Sequence, residues 1–71
     1  MYVVIAGGGR IGASLAKWLV SGGHEIAVVD VDRSKCAALD EMLGSVSVLG
    51  NTAEAEVLAR AGTNRADVFA A

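Results

Sequence analysis

What this chain has little of narrows its function before any motif is read. It holds a single cysteine, which excludes an internal disulfide and any metal site built from cysteines. Aromatic residues make up only 4% of it, and its six basic and eight acidic residues leave a net charge of −2. No basic run exists, so neither nucleic acid nor an acidic membrane has an electrostatic footprint to meet. Nothing approaches the ~18 consecutive apolar residues of a membrane span. No charged segment precedes the first apolar run, which argues against a secretory signal. A reduced, cytoplasmic, soluble domain without direct membrane insertion is the expectation.

What is there is small and apolar. Seventy-one residues make one domain at most, and a domain near that size buries only about 60% of its unfolded surface. Yet 54% of the residues are hydrophobic. That composition suits a parallel sheet covered by helices on both faces.

The chain is organised around Gly7-Gly8-Gly9-Arg10-Ile11-Gly12. An apolar run, Tyr2 to Ala6, feeds into Gly7, Gly9 and Gly12, which fall on the G-x-G-x-x-G spacing. A helical stretch follows, then a second apolar run ending in Asp30. Strand, glycine turn, helix, strand and terminal acid form the dinucleotide-binding fingerprint in its full setting. Gly7 permits the sharp turn out of the strand, Gly9 lets a pyrophosphate approach the main chain, and Gly12 lets the helix pack closely on the sheet. The unpartnered N–H groups opening that helix, with the helix dipole, suit a phosphate. Asp30, acceptor-only when ionised, can take both hydroxyl protons of an adenosine ribose. The alternative is a glycine turn kept only for tight packing beside an empty site.

The periodicities predict a β1 strand at Tyr2–Ala6, a first helix at Arg10–Ser21 with Ile11, Leu15, Trp18 and Leu19 inward, and a second strand at Glu25–Asp30. Trp18 reads as a packing residue rather than a stacking platform. A second helix is expected over Ser34–Leu43, capped by Ser34 or Asp32, with Cys36, Leu39, Met42 and Leu43 inward and Lys35, Asp40 and Glu41 outward. A third strand at Ser45–Leu49 reads as a sheet edge. Asn51 and Glu54 have capping-box spacing ahead of a third helix at Ala53–Ala61. Gly62 is its expected C-cap, Thr63–Ala66 a loop, and Asp67–Ala71 the opening of a fourth strand. The fold class is therefore α/β: a Rossmann-type doubly wound parallel sheet, a βαβαβαβ half-domain with strand order 3-2-1-4. Its last strand offers an open edge for pairing with another chain, so a homo-oligomer is expected.

The run Val3–Gly12, then His24–Asp32, then Leu49-Gly50-Asn51-Thr52, then Ala66-Asp67-Val68, resembles the amino-terminal nucleotide-binding half of the RCK or KTN domain (TrkA-N type). The likeness covers essentially the whole chain and the first half of that family's domain. The resemblance implies a regulatory domain that binds NAD(H) or ATP, ADP or AMP without chemistry. It also implies pairing of domains in a gating ring and, in the full-length context, a potassium transporter membrane subunit as partner.

Carried over, Gly7, Gly9 and Gly12 hold phosphate and Asp30 binds ribose. Asn51 falls where the family often has Asp near the adenine amino group. The candidate site as a whole comprises Gly7, Gly8, Gly9, Arg10, Ile11, Gly12, Asp30, Val31, Asp32, Arg33, Asn51 and Thr52. Arg10 reads as a phosphate contact or a solvated arginine, and Asp32 as a helix cap, a solvated charge or a ligand contact.

Three function classes remain open: a regulatory binding domain, the cofactor half of an NAD-dependent dehydrogenase, and an interaction module with a vestigial site. Fold alone does not separate them. The chemistry-bearing side chains His24, Cys36 and Tyr2 are not expected at the carboxyl ends of the strands, which disfavours hydride transfer by this chain alone. A carboxylate at Asp30 repels a 2′-phosphate and so favours NAD over NADP unless Arg33 swings in to compensate.

Overall fold

A computed structural model describes residues 1–70. Ala71, which the sequence reading put in the last strand, lies outside the described residues. The elements are β1 (Tyr2–Ala6), α1 (Arg10–Ser21), β2 (Glu25–Asp30), α2 (Arg33–Leu43), β3 (Ser47–Leu49), α3 (Ala55–Ala61) and β4 (Val68–Ala70), with a 3-10 turn at Thr63–Arg65. All strand pairs are parallel, and the order is β3-β2-β1-β4. The expected Rossmann-type half-domain is therefore present, with β3 and β4 at the two edges.

The sheet is apolar on both sides because alternate residues of β1 and β2 face different helices. Val3, Ile5, Ile26 and Val28 pack with Ala16, Leu19 and Leu39 from α1 and α2. Val4, Ala27 and Val29 pack on the other side with Val57 and Ala61 of α3. Both layers depend on near-continuous apolar strands rather than alternating ones, as parallel sheets require.

Leu15, Leu19, Cys36, Leu39 and Leu43 pack inward as expected, whereas Ile11, Trp18 and Met42 do not, and α1 shows why. Ala16 and Leu19 are buried, whereas Ile11 and Trp18 are 84% and 72% exposed. A Cβ at Gly12 would overlap the Gly7 carbonyl oxygen, so Gly12 must face the strand end. That contact fixes the rotation of α1 and puts the small side chains against the sheet. Ile11 and Trp18, each one residue or about 100° from a position that faces the sheet, fall on the flank, while Leu15 stays half-buried against the core.

In α2, Cys36 and Leu39 are buried but Met42 is 57% exposed. Asp32 is the N-cap, its carboxylate accepting the Ser34 and Lys35 N–H groups. β3 begins at Ser47, two residues later than expected, and β4 at Val68. Helix α3 begins at Ala55 rather than Ala53, and its N-cap Glu54 makes no side-chain cap bond. The expected capping box is absent because the Asn51 carboxamide oxygen accepts the Ala53 N–H instead. The local Asx turn wins over the cap. Gly62 closes α3 in the left-handed conformation, as expected.

Asp40 is the clearest departure. It was expected on the outer face of α2, but its carboxylate accepts the Val46 and Ser47 N–H groups at 2.9 and 2.8 Å and the Ser47 hydroxyl at 2.7 Å. These donors tie the end of α2 to the start of the edge strand. The Ser47 hydroxyl and then its N–H hold the carboxyl below its ordinary value of 3.8. The folded state thus binds this proton less readily than the unfolded chain. The resulting stability is present above that ordinary value and is lost as pH falls through the lower folded one. Asp40→Asn should flatten the decline of melting temperature below about pH 4, measured by circular dichroism against the unsubstituted chain.

Candidate functional site

The carboxyl ends of β1, β2 and β3 meet at a cleft of about 220 Å³ lined by Ala6, Gly7, Val29, Asp30, Val31, Gly50, Asn51 and Thr52. Backbone bonds continue the ladder past the strands and shape its floor: the Gly7 N–H donates to the Val29 carbonyl at 2.7 Å, and the Gly50 N–H to the Asp30 carbonyl at 2.9 Å. Gly7 takes φ +100°, a conformation that turns the chain off β1 and that side chains rarely adopt. Gly9 is the N-cap of α1 in extended backbone, exposed, and a Cβ there would meet nothing within 4 Å. The main chain is open to an approaching group at that point, next to N–H groups of the first helical turn.

Asp30, at the tip of β2, is tied down by its neighbours. One carboxylate oxygen accepts the Gly8 N–H at 2.6 Å, and the other accepts the Asp32 N–H at 2.8 Å. The Gly8 bond, then the Asp32 bond, lowers its pKa below the ordinary 3.8, against a small opposing effect of burial and with help from the Lys35 charge. The group is therefore an anion at neutral pH, with acceptor capacity left after two bonds.

A second hollow, of about 250 Å³, lies on the other flank of the turn. It is lined by Ile5, Ala6, Gly7, Ile11, Gly12, Leu15 and Ala70. Ile11 reaches it from the exposed flank of α1. Gly7 lines both hollows.

Of the twelve residues singled out by sequence, Gly7, Asp30, Val31, Asn51 and Thr52 line the first hollow, and Gly7, Ile11 and Gly12 the second. Gly8 lies buried beneath the turn. Arg10 and Arg33 are exposed at the starts of α1 and α2. Asp32 spends one carboxylate oxygen on the cap of α2. Asn51 is exposed, its carboxamide oxygen accepting the Ala53 N–H at 2.8 Å.

Sequence reasoning missed Gly50, where a Cβ would lie 2.7 Å from Val57 Cγ2. The close approach of the β3–α3 turn to α3 needs glycine there. Its signal was the Gly50-Asn51-Thr52 triplet itself. Of the remaining chemistry-bearing side chains, Tyr2 and His24 lie away from the cleft, whereas Cys36, not expected at the carboxyl ends of the strands, is buried beneath the tip of β2 because the first turn of α2 packs there. The Tyr2 hydroxyl donates to the Ala61 carbonyl, and the Cys36 thiol is buried against the Asp30 carbonyl at 3.7 Å. His24 follows α1 at the far end of the sheet, beside Trp18.

Comparison with known proteins gives the family of the fold. The TrkA-N domain model matches residues 3–71. A protein described as "Trk system potassium uptake protein TrkA homolog" from Methanothermobacter thermautotrophicus is 39% identical over the whole chain, which covers 33% of that relative. The Pyrococcus abyssi protein of the same description is 35% identical, with 31% of it covered. The "Trk system potassium uptake protein TrkA" of Streptomyces coelicolor is 38% identical, with 32% covered. The chain thus spans about a third of the length of these relatives. With the match running from the first strand to the last residue of the sequence, the chain belongs to the TrkA-N domain family.

Proposed function

We propose that this domain binds an adenine nucleotide, NAD(H) or ADP/ATP, at the glycine turn and acts as a ligand-responsive regulatory element of potassium uptake, without chemistry of its own. The observation that carries the reading is the anionic Asp30 held 2.6 Å from the Gly8 N–H. It sets a diol acceptor directly beside a turn open to phosphate. The names of the relatives, all Trk potassium uptake proteins, supply the transport context. In that context the domain is cytoplasmic, and a transporter membrane subunit is its partner. No helix among the described residues is long and apolar enough to cross a membrane.

In this reading the ribose sits against Asp30 and the adenine lies toward Val31, Asn51 and Thr52. The diphosphate crosses the turn at Gly9, with Arg10 within reach as a counter-charge. Each hollow alone is smaller than the ~300–1,000 Å³ usual for ligand pockets. A dinucleotide draped over Gly7 would use both, which supports NAD(H) as a ligand. The outer edge of β4, where Val68 and Phe69 are about half exposed, suits pairing with a second copy. Light scattering is expected to give a dimer or larger assembly.

A thermal-shift panel tests the ligand assignment. At about a hundredfold over its Kd, NADH or ADP adds about 2.7 kcal/mol of stability, on the order of 10 °C in a domain this small. NADPH at the same concentration should give a clearly smaller shift, because its 2′-phosphate meets Asp30. Equal shifts for all three would remove Asp30 from the site.

A further inference from the structure

The glycine pattern assigns no role to Gly8, the variable position between Gly7 and Gly9. The structure treats the neighbours very differently. Gly9 is exposed with open space around it, whereas Gly8 is buried. A Cβ on Gly8 would lie 2.9 Å from Leu39 Cδ1 and 3.3 Å from Asp30 Oδ2, the oxygen that accepts the Gly8 N–H. Leu39 is a core residue of α2, 2% exposed, so it cannot swing into solvent. Gly8 does not have a positive φ; glycine is needed there for space, not for backbone conformation.

We propose that Gly8, seated on Leu39, is a positioning residue that aims the Asp30 carboxylate at a ribose, so that the chain selects nucleotides carrying a free 2′-hydroxyl. This rests on the adenine-nucleotide reading above. Two N–H groups on different oxygens, from Gly8 and Asp32, fix the carboxylate against rotation. About two of its four acceptor positions are left, enough for the 2′- and 3′-hydroxyls of one sugar. Since the aiming bond comes from the turn itself, the ribose receptor and the phosphate turn are one rigid unit. A β-carbon on Gly8 pushes the turn off Leu39 and away from Asp30, while the open main chain at Gly9 still faces the phosphates.

The test uses the 71-residue chain and three probes: ADP, 2′-deoxy-ADP and AMP. A hydroxyl bonded to a carboxylate is worth about tenfold or more in affinity, so the unsubstituted chain should favour ADP over 2′-deoxy-ADP by that factor. In Gly8→Ala that ratio should fall to about threefold or less, while the preference for ADP over AMP is retained. Adding Leu39→Val makes room for the new methyl and should restore the hydroxyl preference. Carboxyl-carbon NMR gives a readout that needs no ligand: the titration of Asp30 should move up toward an ordinary aspartate in Gly8→Ala and return in the double variant.

Should Gly8→Ala not fold, Asp30→Glu provides the same test with the turn intact. The longer side chain overshoots the Gly8 N–H, and the hydroxyl preference should again collapse. An unchanged ratio in a folded Gly8→Ala or in Asp30→Glu, or an unchanged Asp30 titration in Gly8→Ala, overturns the proposal. Binding of ADP and 2′-deoxy-ADP with equal affinity by the unsubstituted chain overturns it alone. Failure of that chain to bind any of the three overturns the nucleotide reading as well.

Discussion

Gly12→Ala is expected to lower the melting temperature by more than 10 °C, the largest loss of any single methyl addition in this chain. Two effects oppose each other at this position. Alanine in a helix interior is favoured over glycine by about 1 kcal/mol. Against that, the new Cβ overlaps the Gly7 carbonyl oxygen, a backbone atom that no rotamer change can move. Shifting Gly7 would break its N–H bond to Val29 and lift α1 from the sheet. Overpacking of this kind costs about 1–3 kcal/mol and sometimes more, and contact with main chain puts it at the upper end. A chain of 71 residues holds on the order of 4–10 kcal/mol in all, so the clash consumes a large share. Thermal melts by circular dichroism measure it directly. A melting temperature equal to or above that of the unsubstituted chain would mean that α1 does not ride on the turn as described.

Gly9→Val should do the reverse, sparing the fold and removing the ligand. The valine Cβ meets nothing within 4 Å, and the backbone at Gly9, φ −70° and ψ −170°, is an extended conformation that valine adopts readily. Loss of glycine as N-cap for a β-branched residue costs no more than about 1 kcal/mol. The side chain fills the space through which a diphosphate would reach the main chain. The shift of about 10 °C expected with saturating ADP should therefore vanish, though the apo protein melts within a few degrees of the original. Paired melts with and without ADP check this. A Gly9→Val protein that is still stabilised by ADP would show that the phosphates are held elsewhere.

The contrast between these two glycines was visible in the sequence, while much of what surrounds them was not. Strand order, the turn at Gly7 and Asp30 at the tip of β2 follow from local periodicity and spacing, because parallel βαβ units leave few topologies. The rotation of α1 was legible only in part. A reading by hydrophobicity turns Ile11, Leu15, Trp18 and Leu19 inward together; Leu15 and Leu19 do pack on the core, but Ile11 and Trp18 are exposed. The helix instead obeys Gly12, whose close approach to Gly7 lets small alanines face the sheet. Asp40 and Asn51 escaped for a related reason. Each is a short polar side chain with backbone donors nearby, and which donor it takes depends on a turn that tertiary packing sets. Gly8 escaped because its constraint comes from Leu39, 31 positions away in the sequence.

Such a chain is small enough for every backbone amide to be followed at once, and that makes the central claim directly measurable. Titrating ADP or NADH into the ¹⁵N-labelled protein should move the amide resonances of Gly7 to Gly12, Asp30 to Asp32 and Gly50 to Thr52, leaving Trp18 to His24 at the other end of the sheet unmoved. Perturbation centred on Trp18 and His24, with the glycine turn silent, would contradict the account.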